Sequence, residues 1–202
     1  MFDSLLRRVI DPPLNAAGRR LARLGVAADA MTVGGFFCGL CAALAIAFRH
    51  FEAGLALLAL NRLADGLDGA IARATRKTDL GGYLDIVLDF VFYGAIPLAF
   101  ALAEPAANGL AAAVLLTSFY ANGAAFLAFS AIAAKHGLET QAQGLKSLYY
   151  VGGLAEGTET IAVFVAFCLW PSAFPVVAYA FAVLCFLSAG ARILFAARTL
   201  RP

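Results

Sequence analysis

The chain has 202 residues, of which 62% are hydrophobic and 14% are charged, and its formal net charge is +2. Soluble domains carry about 25% charged and about 45–50% apolar residues, so this composition excludes an ordinary water-soluble protein. The small net charge gives no reason to expect a nucleic-acid partner, and the expected environment is a lipid bilayer.

The first 24 residues combine apolar and basic side chains but lack the long apolar core of a cleavable signal peptide. Leu14 and Leu21 belong to an apolar stripe that runs beside several arginines. Pro12 and Pro13 are expected to interrupt the helix, because proline lacks a backbone N–H. We therefore predict that residues 1–24 form an interfacial amphipathic segment on anionic headgroups or, alternatively, a short helix packed on the bundle.

Residues 25–202 contain long apolar runs that predict a membrane domain. About 20 apolar residues cross the hydrocarbon core, and the charge-free runs 31–48, 105–134 and 160–191 reach or approach that length. The six predicted transmembrane helices are 31–48, 52–73, 82–103, 107–134, 155–171 and 174–197. The expected fold class is an all-α integral membrane protein.

Basic residues are concentrated in alternate loops of this arrangement. One side of the bundle would carry Arg7, Arg8, Arg19, Arg20, Arg23, Arg76, Lys77, Lys135, Lys146, Arg198 and Arg201. The opposite loops contain Arg49 alone. By the positive-inside rule both termini are cytoplasmic, which requires an even number of spans. We expect a multi-pass protein of a bacterial inner membrane.

Four aspartates lie within the second and third predicted spans. Asp65 and Asp68 share one helix face, and Asp85 and Asp89 share another, because they are three and four residues apart. A short turn joins these antiparallel helices, so the carboxylates are expected to converge near the cytoplasmic side. An ionised aspartate in a bilayer costs at least about 2.5–3.5 kcal/mol. The cluster therefore predicts a divalent cation, since oxygen ligands suit Mg²⁺, Mn²⁺ or Ca²⁺.

Small residues flank the aspartates. They are Gly66, Gly69, Ala70, Ala72, Gly81 and Gly82. Such residues favour close helix packing, and they also leave room for a ligand beside a metal ion. Arg62 and Arg73 could neutralise part of the negative charge, and Arg73 could instead meet a phosphate. A metal ion, an arginine and a cavity together indicate a site for a phosphate-bearing substrate.

A family motif is recognisable in these residues. The chain reads Asp65-x-x-Asp68-Gly69-x-x-Ala72-Arg73 and then Gly81-x-x-x-Asp85-x-x-x-Asp89. This closely resembles the motif of the CDP-alcohol phosphotransferases, integral membrane enzymes of phospholipid synthesis. The family spacing is one residue longer than the seven residues between Arg73 and Gly81 here. The difference lies in the turn between two helices, where a deletion is most easily absorbed.

The resemblance implies a reaction and roles for the motif residues. A substituted phosphate passes from a CDP-linked donor to an alcohol hydroxyl, CMP is released, and two divalent ions, Mg²⁺ or Mn²⁺, are needed. The implied metal ligands are Asp65, Asp68 and Asp85, with Asp89 as the general base and a further ligand. The residues implied to border the donor are Gly69, Ala72, Arg73 and Gly81.

The resemblance also leaves choices open. CDP-diacylglycerol is the expected donor, and the alternative is a CDP-linked small alcohol with a lipid acceptor. A homodimer is the expected assembly. Lys135 and Arg192 would meet an anionic group on the acceptor, or would serve as positive-inside anchors. Glu156 and Glu159 would stabilise a helix N-terminus, or would favour a cationic acceptor.

Other classes of function are compatible with intramembrane aspartates. A divalent cation transporter could use the same four carboxylates. Against it, the acids cluster at one end, and the last three predicted spans are apolar beyond that end. A structural scaffold leaves the cost of burying the aspartates unexplained. The phosphotransferase is distinguished from both by metal-dependent release of CMP.

Overall fold

The computed structural model describes residues 3–135 and 157–200, with side chains from Ile10 onward, and these ranges contain seven α-helices and no strand. The helices are α1 (Asp3–Arg23), α2 (Ala28–Ala47), α3 (Phe51–Ala74), α4 (Asp79–Ala103), α5 (Pro105–Lys135), α6 (Gly157–Leu169) and α7 (Phe174–Thr199). A short 3₁₀ turn, Pro171–Ala173, lies between α6 and α7, where the prolines were expected to separate two spans.

Helices α2 to α7 correspond in order to the six predicted spans. Helices α2, α4, α5 and the segment Pro171–Thr199 are long and apolar enough to cross a membrane. Helix α3 has 24 residues but carries the charges of the motif, and α6 has 13 residues in the described part of the chain. The chain is therefore an all-α, multi-pass integral membrane protein, while the count of six crossings stays a prediction.

The N-terminal segment forms one continuous helix, so the predicted interruption at Pro12 and Pro13 is wrong. The fixed φ of proline, near −65°, lies close to the helical value, so the two prolines remove backbone donors without ending the helix. Helix α1 ends at Arg23, and Gly25 follows with a φ of +81°. Glycine adopts this left-handed conformation without the steric penalty of a Cβ atom.

Helix α1 packs against α3 through small residues. A methyl group at Gly18 would lie 2.6 Å from Cβ of Ala70, and Leu14 fills the space beside Gly66. Two helices approach this closely only where side chains are small. The N-terminal helix therefore packs on the bundle, which was the alternative interpretation of its sequence. Its contact with lipid headgroups, and the division of the chain after residue 24, stay predictions.

Helices α2, α3 and α4 form the closely packed group that contains the aspartates. A methyl group at Gly35 of α2 would lie 2.8 Å from Cβ of Ala64 on α3. One at Gly39 would lie 2.6 Å from Cδ2 of Phe92 on α4. Close packing of α2 brings its N-terminal half against the motif.

Buried phenylalanines fill the core beyond the aspartates. The ring of Phe100 stacks on that of Phe174 with centroids 4.8 Å apart, and Phe167 lies 4.6 Å from Phe174. Phe164 meets Phe92 in an edge-to-face contact. These contacts join α4, α6 and the start of α7, and each ring contributes a large apolar area to the core.

The turns at the other end of the bundle are joined by an exposed ion pair. Arg49, which follows α2, donates a hydrogen bond of 2.7 Å to Glu104, which follows α4. Arg49 has a φ of +64°, so the turn between α2 and α3 places this non-glycine residue in a left-handed conformation. The α2–α3 and α4–α5 turns therefore share the end opposite the α3–α4 turn.

Candidate active site

A cavity opens where the N-terminal halves of α2 and α4 meet the C-terminal half of α3. Its polar lining consists of Thr32, Asn61, Arg62, Asp65, Asp68, Asp85 and Asp89. All four predicted aspartates thus face one space. The spacing on α3 explains part of this, because Asn61, Asp65 and Asp68 are separated by four and three residues and share one helix face.

Three of the aspartates form a compact group, called here the three-aspartate group: Asp65, Asp68 and Asp85. One carboxylate oxygen from each lies within 4.8 Å of the others. Asp68 is buried, and its Oδ2 atom has no hydrogen-bond partner among the described residues. A buried carboxylate oxygen without a partner is costly. A divalent cation fits this arrangement, because it would use oxygen ligands and offset part of the charge of the three carboxylates.

Asp89 lies in the same cavity but outside the three-aspartate group. Its Oδ1 atom accepts a hydrogen bond of 3.0 Å from Nη2 of Arg62, and its Oδ2 atom accepts one of 3.4 Å from the hydroxyl of Tyr93. Arg62 also lies 3.6 Å from Asp65, measured between Nη1 and Oδ2. The expected neutralisation of aspartate charge by Arg62 is therefore seen, and the catalytic roles of the four aspartates stay predictions.

The remaining motif residues lie toward the α3–α4 turn. Arg73 is exposed, and both its Nε and its Nη2 donate to Oδ1 of Asn15, at 3.1 and 2.9 Å. Gly69 lies one turn earlier, and a methyl group there would be 3.2 Å from Nη1 of Arg73. Ala72 is half-buried on the same helix. Gly81 lies in the first turn of α4, where its N–H donates to the Thr78 hydroxyl. Their contact with a donor stays a prediction.

The residues suggested for the acceptor do not line the aspartate cavity in the described part of the chain. Arg192 is buried in α7, where it donates to the backbone oxygen and Oδ1 of Asn122, at 3.3 and 3.0 Å. Lys135 is exposed at the end of α5. Glu159 is half-buried in the first turn of α6, whereas Glu156 and Lys146 fall outside the described residues.

Two contacts nevertheless place these helices near Asp89. A methyl group at Gly157, the first residue of α6, would lie 3.4 Å from the hydroxyl of Tyr93. Gly123, next to the Asn122 partner of Arg192, packs against Phe90, next to Asp89. The start of α6 and the Arg192–Asn122 pair therefore lie at about the height of Asp89 in the bundle.

Reasoning from the sequence alone assigned no site role to four residues, Thr32, Asn61, Tyr93 and Asn15. Asn61 shares the helix face of Asp65 and Asp68, so its spacing could have identified it. Tyr93 lies four residues after Asp89, on the same face of α4. Asn15 had no such signal, because it is 58 residues from Arg73 and on another helix.

Comparison with known proteins gives matches along nearly the whole chain. The family model described as CDP-alcohol phosphatidyltransferase matches residues 25–190. Inner membrane protein YnjF of Escherichia coli is 45% identical over 193 residues, which cover 96% of this chain and 94% of that protein. Archaetidylinositol phosphate synthase of Pyrococcus horikoshii is 36% identical over 87 residues, which cover 43% of this chain and 46% of that protein.

Solved structures share the fold at lower sequence identity. One is phosphatidylinositol phosphate synthase of Mycobacterium tuberculosis with CDP-DAG bound, with a TM-score of 0.69 and 22% identity over 89% of this chain and 91% of that chain. The same enzyme in complex with manganese and citrate has a TM-score of 0.69 and 22% identity, over 89% of this chain and 87% of that chain.

Proposed function

Because this chain belongs to the CDP-alcohol phosphatidyltransferase family, we propose that it transfers a phosphatidyl group from CDP-diacylglycerol to an alcohol hydroxyl and releases CMP. The observation that carries the proposal is the three-aspartate group, which occupies the motif positions and in which Asp68 Oδ2 has no partner among the described residues. A structural relative with CDP-DAG bound supports this donor.

Asp65, Asp68 and Asp85 would hold two divalent ions, Mg²⁺ or Mn²⁺, which when bound would offset negative charge on the donor pyrophosphate and on the departing CMP. A manganese complex of the structural relative supports this choice of ion. Arg73, Gly69, Ala72 and Gly81 would border the donor. Arg73 is exposed and donates its two hydrogen bonds to the neutral side chain of Asn15, so its positive charge would be available to a phosphate of the donor.

Asp89 is proposed as the general base. It would accept the proton of the acceptor hydroxyl, whose oxygen forms a bond to the phosphorus of the phosphatidyl group. The bond from that phosphorus to the oxygen of CMP then breaks, and CMP leaves with the electron pair. Asp89 lies one turn along α4 from Asp85, about 5.4 Å, so it can act on a group beside the bound donor.

The acceptor is proposed to be an alcohol that carries a phosphate group. The relatives named as inositol phosphate synthases support this class. The buried cation Arg192, at about the height of Asp89, and Lys135 at the end of α5 would attract an anionic acceptor. The contrasting outcome is a cationic amino alcohol, which Glu156 and Glu159 would favour. Glu159 would lie near the acceptor, because helix α6, which carries it, begins beside Tyr93.

The aspartate end of the bundle is proposed to face the cytoplasm, and the membrane is proposed to be a bacterial inner membrane. The basic residues of α1 and of the α3–α4 turn lie at this end, whereas the Arg49–Glu104 pair marks the other. Single cysteines at positions 77 and 104, in a background without the native cysteines, test this by one-sided labelling. Periplasmic labelling at position 77 would contradict the orientation.

A homodimer is retained as a proposal, to be tested by the mass of the purified protein.

The donor is tested by supplying purified protein and Mg²⁺ or Mn²⁺ with either CDP-diacylglycerol or CDP-linked amino alcohols, together with a panel of acceptors. We expect a new phospholipid, identified by mass spectrometry, with CDP-diacylglycerol and a phosphorylated polyol. Product from a CDP-linked small alcohol and a lipid would instead reverse the roles of donor and acceptor. Cation uptake into sealed vesicles without CMP chemistry would indicate a transporter, which the phenylalanine-filled core beyond Asp89 argues against.

A further inference from the structure

Arg62 lies just before the family motif and bridges two of its aspartates. It donates from Nη2 to Asp89 Oδ1 at 3.0 Å, and its Nη1 lies 3.6 Å from Asp65 Oδ2. We propose that Arg62 is a positioning residue that holds Asp89 apart from the three-aspartate group. The inference rests on the proposed function, in which Asp89 and the three-aspartate group have separate tasks.

Arg62 is itself fixed by a series of contacts that begins on α2. The backbone oxygen of Gly35 accepts a hydrogen bond of 2.8 Å from Nδ2 of Asn61, which is buried. The Oδ1 atom of Asn61 then accepts one of 2.7 Å from Nε of Arg62. The guanidinium carbon lies 4.7 Å from the ring centre of Phe92, a cation–π distance. Arg62 therefore has a defined position and is more than a diffuse counter-charge.

Asp89 needs such a partner because of where it lies on α4. It is one turn from Asp85 and on the same helix face, so its carboxylate is within reach of a cation held by the three-aspartate group. A carboxylate oxygen that binds a cation is a poor acceptor for the proton of a hydroxyl. The guanidinium of Arg62 offers Asp89 an alternative charged partner on the α3 side of the cavity, and Tyr93 contacts its other oxygen.

Simple neutralisation of charge makes a different prediction from positioning. If Arg62 only supplies a positive charge, its removal raises cation affinity by the same factor whether or not residue 89 is an aspartate. If Arg62 holds Asp89 away, its removal lets Asp89 join the cation ligands. The effect of Arg62 on cation affinity then depends on Asp89, and a double-mutant cycle measures that dependence.

The experiment measures Mn²⁺ affinity by calorimetry without donor, in detergent, for wild type, Arg62→Gln, Asp89→Asn and the double variant. We expect Asp89→Asn to change the Kd less than about twofold when Arg62 is present, and to weaken binding about fivefold or more in the Arg62→Gln background. Arg62→Lys keeps the charge but offers no guanidinium fork, so it should give a smaller coupling of the same sign. If Arg62→Gln does not fold, the Arg62→Lys variant replaces it in the double-mutant cycle. An equal effect of Asp89→Asn in both backgrounds would overturn the proposal.

CMP release gives a second readout on the same variants. Arg62→Gln should lower kcat about 10–100-fold, with the KM for the CDP donor changed less than about threefold, and Arg62→Lys should recover part of the loss. The matched control is Arg49→Gln, which removes the exposed pair with Glu104 at the other end of the bundle and should leave kcat unchanged. If wild type releases no CMP, the proposed function fails while the Mn²⁺ cycle still decides the role of Arg62. A wild-type kcat in Arg62→Gln would overturn the positioning role.

Discussion

Arg73, the last residue of the aspartate–glycine–arginine segment of the motif, donates two hydrogen bonds to a single oxygen atom, Oδ1 of Asn15. The contact joins the last turn of α3 to α1, which lies outside the matched family region of residues 25–190. The N-terminal helix is therefore part of the surroundings of the proposed donor site. We expect its position to influence the direction of the Arg73 guanidinium.

Replacing Asn15 by Ala should weaken binding of the CDP-linked donor. Loss of the shared acceptor oxygen frees Arg73 to adopt other rotamers, and a hydrogen bond to a charged group at an exposed position contributes on the order of 1 kcal/mol, or about fivefold in affinity. The measurement is the KM for CDP-diacylglycerol and its Kd by calorimetry. Asn15→Gln keeps an amide acceptor oxygen without adding charge and is the control. Unchanged donor affinity in Asn15→Ala would show that α1 does not position Arg73.

Replacing Gly18 by Ala should destabilise the packing of α1 on α3. A new methyl group would meet Cβ of Ala70 at 2.6 Å and its backbone carbon at 2.8 Å, and overpacking of this kind costs about 1–3 kcal/mol. Gly34→Ala is the matched control, because a methyl group there would meet no atom of another described segment within 4 Å, and alanine is the better helix former. Thermal unfolding in detergent should give a lower midpoint for Gly18→Ala and an equal or higher one for Gly34→Ala. Equal midpoints for the two variants would contradict the close contact.

Replacing Asp65, Asp68 or Asp85 by Asn should abolish turnover without loss of folding. Each change removes a charged oxygen ligand from the three-aspartate group but also relieves repulsion between carboxylates. The clearest case is Asp68, whose Oδ2 atom is buried without a described partner. Asp79→Asn, in the exposed first turn of α4, is the control that retains both Mn²⁺ binding and CMP release. Near-normal activity in any of the three variants would refute its role as a ligand.

Replacing Asp89 by Asn should separate catalysis from donor binding. A lost general base costs about 10²–10⁴-fold in rate, whereas binding of the CDP donor should persist in the presence of Mg²⁺, because the three-aspartate group remains. Calorimetry of Asp89→Asn beside Asp65→Asn makes the comparison. Equal loss of donor binding in both variants would make Asp89 chiefly a metal ligand, with Glu156 or Glu159 the next candidates for the base.

Much of the site could be predicted from the sequence because its spacing is local. Two aspartates three residues apart and two others four residues apart define two helix faces, and the short turn after Arg73 forces those faces together. Three carboxylates converge as expected. The exception is Asp89, whose pairing depends on the rotamer of Arg62 and on its contact with Asn61, which spacing alone does not determine.

The features that could not be predicted are of two kinds. Some depend on contacts between distant segments, and others on factors beyond local helix propensity. Nothing in one sequence indicates which face of α1 meets α3, so the Asn15–Arg73 contact was not expected. The prolines at 12 and 13 were expected to break a helix that continues through them. The number of membrane crossings also stays open, because the charged motif residues of α3 lower the mean hydropathy of that helix.

The most direct measurement is CMP release from CDP-diacylglycerol by the purified protein, with the lipid product quantified in the same reaction. We expect CMP to appear only with Mg²⁺ or Mn²⁺ and an acceptor alcohol, in a one-to-one ratio to a new phosphatidyl lipid, and we expect Asp68→Asn to release none. CMP release that persists after chelation of divalent ions, or in Asp68→Asn, would contradict the proposed function. Failure to consume CDP-diacylglycerol with any acceptor would contradict it as well.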